Sequence, residues 1–128
     1  MKLMVYGTLQ QGYWNNRLLQ GANFLGKAVT KNKYVLFNCG FPKAVPFSLN
    51  EGKYPLLPVI GEVYEINDQH LAMCDRLEGH PNWYIRKKIG VTLEGEDDEA
   101  YIYEMPEWQE HTDGLCHNVD NMYYRWAG

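Results

Sequence analysis

The chain has no apolar run long enough to cross a bilayer; a run such as Tyr34-Val35-Leu36-Phe37 is typical of its longest. Near the N-terminus, Leu3-Met4-Val5-Tyr6 is too short for the apolar region of a secretory signal. Cysteines are few and odd in number. Cys39, Cys74 and Cys116 form no close pairing motif, which argues against a disulfide framework and fits a reducing, cytoplasmic setting. There is no glycine-rich phosphate loop, no Gly-x-Ser-x-Gly elbow and no paired histidine spacing of a metalloprotease. Positive charge is also in deficit. Twelve Lys and Arg against 16 Asp and Glu leave a net charge of −4, which disfavours nucleic-acid binding through a basic face. The one dense basic cluster, Arg86-Lys87-Lys88, lies inside a strand-like run. No repeat, low-complexity tract or linker is visible, and nothing specifies a protein partner.

What remains is a chain of 128 residues, 45% hydrophobic and 22% charged, suited to a single domain over residues 1–128. Such a length buries roughly two-thirds of its unfolded surface without a metal or disulfide staple. Alternating hydrophobicity predicts strands over residues 2–6, 24–29, 33–37, 44–47, 59–66, 84–93 and 99–105. Residues 94–99, an acidic run, are expected at a solvated hairpin tip. Two segments break the period of two. Residues 14–20 could form a short helix. Residues 68–77 are expected to be helical, capped by Asn67 or Asp68, with Leu71, Cys74 and Leu77 on the inner face. Gly79 is placed to end that helix in a left-handed conformation, and Pro81 forbids its continuation. The fold class expected is α+β: a small mixed β-barrel, closed or nearly so, with one to three flanking helices.

Two local features could carry chemistry. In Tyr6-Gly7-Thr8-Leu9 a strand ends in glycine, which permits a sharp turn and a close main-chain approach. Successive N–H groups in such a turn can hold a carboxylate, although a plain strand-to-loop glycine would look the same. Glu78 falls at the C-terminal end of the expected helix, where the dipole disfavours a negative charge. Burial would act in the same direction and bring its carboxyl towards neutrality, the range of a general base. An exposed helix-end glutamate is the ordinary alternative. His80 could move protons but equally suits a structural place beside Pro81. His111, Cys116 and His117 match no zinc spacing and lack an evident fourth ligand, so no metal is expected.

These pieces together resemble the gamma-glutamylcyclotransferases, most closely the short gamma-glutamylamine cyclotransferase branch, also called AIG2-like proteins. The first motif is Val5-Tyr6-Gly7-Thr8-Leu9 followed by Gly12, Asn15 and Leu19. The second runs from Gly61-Glu62-Val63-Tyr64 through Leu71, Asp75, Leu77-Glu78 and Pro81 to Tyr84 and Arg86. Tyr101-Ile102-Tyr103 is similar to the family's aromatic final strand. The resemblance covers about residues 3–105; residues 106–128 are an extension of open role.

The resemblance implies a cofactor-free reaction on a small gamma-glutamyl amine. The substrate's free amino group attacks its own side-chain amide, pyroglutamate forms and the amine leaves. It implies Glu78 as the catalytic acid/base and Tyr6, Gly7, Thr8, Leu9 and Asn15 as substrate-binding residues. Tyr84 and Tyr103 would supply phenolic hydrogen bonds, pocket wall, or plain barrel packing. Two departures from the branch bear on specificity: Gln10-Gln11 is neutral where a basic residue is usual, and Asn16 stands where histidine is frequent. The competing expectation is a non-catalytic module of the same fold that binds a small carboxylate-bearing or anionic ligand.

Overall fold

The computed structural model describes residues 1–46, 54–106 and 114–128. Ten strands, one α-helix and one 3-10 helix lie among them. Five strands close a mixed barrel in the order β1 (Lys2–Val5), β5 (Ile60–Glu65), β2 (Asn23–Thr30), β6 (Ile85–Leu93) and β7 (Glu96–Glu104). The barrel closes through one parallel contact, Leu3 opposite Tyr101; the other four neighbours are antiparallel. Alternate residues of all five strands meet in one cluster: Met4, Ala28, Val63, Val91, Ala100 and Ile102 are 0–2% exposed. That is the inward half of the period-two pattern.

A second sheet, in the order β4 (Pro42–Pro46), β3 (Tyr34–Asn38) and β8 (Gly114–Leu115), packs against the barrel. β3 is buried on both faces. Tyr34 and Leu36 join the barrel cluster, whereas Val35 and Phe37 join a second cluster with Leu3, Val5, Cys74 and Tyr103. This second cluster lies under α1 (Asp68–Glu78) and the 3-10 helix Trp14–Leu19.

The strands sit within a residue or two of their expected places, except at the start of β7. The acidic tip is only Glu94-Gly95; residues 96–99 belong to β7. There Lys31 lies 2.8 Å from Asp97 and Lys2 lies 2.9 Å from Asp98. Phe47 lies outside the described residues. α1 buries His70 and Cys74, while Leu71 is half-buried and Leu77 exposed. The described part of the C-terminal extension adds β8 to the second sheet and a hairpin of β9 (His117–Val119) and β10 (Tyr123–Arg125). Tyr124 is fully buried, and Trp126 is held by Asn38 at 3.0 Å and by the Tyr13 ring. Trp108 and His111 lie outside the described residues.

Candidate active site

β1 carries Tyr6 inward and then stops, because Gly7–Leu9 turns away from the sheet. Gly7 O accepts from Gln10 N at 3.0 Å, and Thr8 O accepts from Asn15 N at 3.1 Å. The Asn15 side chain donates to Thr8 Oγ1 at 2.9 Å, which ties the turn to the 3-10 helix. Asn16, one of the two departures, donates to Leu9 O at 2.8 Å and to the Tyr64 hydroxyl at 3.1 Å. Gln11 N is bound by Glu62 at 2.9 Å. The glycine is needed for protein packing as well as for any ligand: a Cβ on Gly7 would stand 2.6 Å from Pro42 Cγ. Among the described residues, none accepts from the N–H of Gly7, Thr8 or Leu9.

α1 brings Glu78 to the same place. Its start is set by a capping box in which Asn67 accepts from His70 N at 2.9 Å and donates its own N–H to His70 Nδ1 at 3.2 Å. With Nδ1 accepting, His70 donates from Nε2 to Gln20 O at 2.9 Å and so joins the helix to the 3-10 helix. Its end is set by Gly79, at φ 67°, which makes Glu78 the last helical residue. One turn earlier, Asp75 accepts from the Tyr103 hydroxyl at 2.7 Å and from Arg86 Nη1. This pair of bonds fastens the last turn of α1 to β6 and β7. His80 Nδ1 is already occupied as acceptor for Arg86 N at 2.9 Å.

Between the turn and the helix end lies a cavity of about 240 Å³. Tyr6, Gly7, Thr8, Leu9, Asn15, Glu78, Tyr84 and Tyr103 all line it. Gly40, Phe41, Pro42, Leu77 and Trp83 do so too. No local pattern marked Phe41 or Trp83 in the sequence; only the close of the helix at Gly79 hinted that the residues after it would fold back. The three tyrosines turn their hydroxyls into the protein. Tyr6 donates to Tyr103 O at 2.5 Å, Tyr84 donates to Pro42 O at 2.7 Å, and Tyr103 donates to Asp75.

Glu78 is half-buried, and among the described residues no donor reaches its carboxylate. Burial pushes its pKa up from 4.5 to about 7. Its charge in turn helps to raise the buried Tyr6 hydroxyl, after burial itself and Tyr84, and the Cys74 thiol, which burial chiefly pushes up to about 12. A carboxyl that titrates near neutrality can accept a proton and return it in one cycle. Facing it, the unused N–H groups of the turn can receive an anion.

The sequence pattern of the family described as gamma-glutamyl cyclotransferase, AIG2-like, matches residues 3–125, beyond the 3–105 span of the recognised motifs. The protein named gamma-glutamylaminecyclotransferase of Bos taurus is 37% identical over 122 residues, covering 83% of this chain and 68% of its own length. The protein named putative gamma-glutamylcyclotransferase of Methanocaldococcus jannaschii is 37% identical over 107 residues, covering 82% of this chain and 84% of its own. The crystal structure of an AIG2-like protein from Mus musculus superposes with a TM-score of 0.73 over 97% of this chain and 94% of that one. At 20% identity, that likeness shows the shared fold.

Proposed function

The chain belongs to the gamma-glutamyl cyclotransferase, AIG2-like family, and from that premise we propose that it cyclises a small gamma-glutamyl amine with Glu78 as acid/base. The substrate's α-carboxylate binds the N–H groups of Gly7, Thr8 and Leu9, in the turn braced by Asn15. Glu78 takes a proton from the substrate ammonium. The freed amine attacks the γ-carbonyl carbon, a new C–N bond closes the five-membered ring, and the bond to the amine portion breaks. The proton held by Glu78 passes to the leaving nitrogen, and the second proton shed by the ring nitrogen follows it by the same route, so pyroglutamate and a protonated amine depart and the carboxylate is restored. Tyr6, Tyr84 and Tyr103 act as wall, their hydroxyls being engaged by the protein.

The nucleophile belongs to the substrate, so the protein's task is to fold the glutamyl chain into a near-attack shape. Well-oriented intramolecular reactions reach effective molarities of about 10⁵–10⁸ M. Proton transfer by one positioned group contributes roughly 10²–10⁴-fold more. The observation that carries this reading is the half-buried carboxyl of Glu78, unpaired among the described residues and with a pKa of about 7, in the same cavity as the turn. The test is pyroglutamate release from a panel of gamma-glutamyl amides. Glu78→Gln is expected to lower turnover by at least about 10²-fold while the protein stays folded. Full activity in that variant would remove Glu78 from the chemistry.

A further inference from the structure

Three apolar side chains that line the cavity also reach solvent. Trp83 is 46% exposed and Leu77 37%, although each is large and hydrophobic. Phe41 is half-buried and meets the Trp83 ring edge-on, with centroids 5.3 Å apart. Leu77 stands at the edge of the buried face of α1, between His70 and Met73, which is 37% exposed as well. At 3.6 residues per turn it projects within about 20° of His70, which is buried. The Leu77 side chain is among those that line the cavity. Among the described lining residues there is no Lys, Arg or His, and Glu78 is the sole acid.

The proposed chemistry gives this apolar surface an occupant. Glu78 must reach the leaving nitrogen, and the turn at Gly7–Leu9 holds the opposite end of the glutamyl group. The substituent on that nitrogen therefore lies on the Glu78 side, against the neighbours of Glu78 in the chain and in space. We propose that Phe41, Leu77 and Trp83 form a subsite for the amine portion of the substrate. It selects an arylalkyl or branched-alkyl amine without a distal ammonium. An ammonium at the far end would lose water there and find no anion among the described lining residues except the carboxyl that must stay free for proton transfer, while a nearby positive charge, Lys43 Nζ at 5.9 Å from the centre of the Phe41 ring, would repel it. An apolar group would instead remove the exposed indole and leucine surface from water. This subsite rests on the acid/base reading of Glu78.

The test compares kcat/KM for pyroglutamate release from gamma-glutamyl methylamide, n-butylamide and phenethylamide and from gamma-glutamyl-ε-lysine. The phenethylamide is expected to exceed the methylamide by roughly 10- to 100-fold, and gamma-glutamyl-ε-lysine to fall below the n-butylamide. Trp83→Ala and Leu77→Ser should each reduce the phenethyl-to-methyl ratio, mainly through KM, and Trp83→Phe should keep most of it. Trp83 also packs on Gly79 and Tyr84, so if Trp83→Ala does not fold, the exposed Leu77 carries the test. A methylamide that is turned over with a flat ratio, a ratio untouched by the variants, or a preference for gamma-glutamyl-ε-lysine overturns the subsite and leaves the acid/base reading standing. Absence of turnover on every amide removes both.

Discussion

Replacing Glu78 by Gln should make the protein more stable even as it removes the proposed acid/base. The folded state holds this carboxyl at a pKa of about 7, against 4.5 for an ordinary glutamate. A carboxyl raised on folding favours the folded state most when it is protonated. Its contribution is therefore intact below about pH 4.5, is lost as pH rises towards 7, and changes no further above that. The shift corresponds to roughly 3 kcal/mol at full development, an upper value because the group keeps some contact with water. A neutral amide of the same shape avoids this desolvation. Urea unfolding of both proteins at pH 4 and pH 8 gives the measurement. At pH 4 the two should agree within about 0.5 kcal/mol; at pH 8 the variant should be more stable by about 2–3 kcal/mol, or about 10 °C in Tm. Equal stability at pH 8, or an offset that does not vary with pH, would refute the claim that burial strains this carboxylate.

Two further variants probe the parts that aim the site. Gly7→Ala should lower stability by about 1–3 kcal/mol, read as a lower urea midpoint, because its Cβ would meet the Pro42 ring at 2.6 Å and 2.8 Å; an unchanged midpoint would show that the turn and β4 can move apart. Asp75→Ala should destabilise by about 2 kcal/mol, since it strands both the Tyr103 hydroxyl and the Arg86 guanidinium. The same variant should lower pyroglutamate release by loosening the last turn of α1, and wild-type turnover in a measurably less stable protein would sever that clamp from the site.

The features that local backbone rules mark were the ones visible in the sequence. Asn67 and Gly79 bracket α1 by cap chemistry alone, and the bracket makes Glu78 the terminal helical residue. Alternation found the strands but could not pair them. Residues 23–30 and 34–38 are consecutive, yet they enter different sheets. Periodicity states which face of a strand is apolar, and β3 is apolar on both; it pairs with the next strand, β4, but its other neighbour, β8, and the packing on its two faces depend on contacts distant in sequence. The parallel closure of β1 on β7 and the Asp75–Tyr103–Arg86 network have the same origin: each joins segments that no local pattern connects.

Leu77 shows where such reasoning gives way to function. Its spacing after Cys74 is that of a core residue, and α1 places it at the border of the buried face, between His70 and the exposed Met73. A buried leucine needs a wall opposite. Here β1 ends at Val5, and the turn at Gly7–Leu9 and Leu77 line one cavity. The same cavity that presents three N–H groups to an anion thus holds an apolar surface beside Glu78. A fold that filled this gap would gain the burial of Leu77 and Trp83 and lose the water-accessible space in which Glu78 can meet a substrate. The exposure of these two side chains is the structural consequence of keeping that space open.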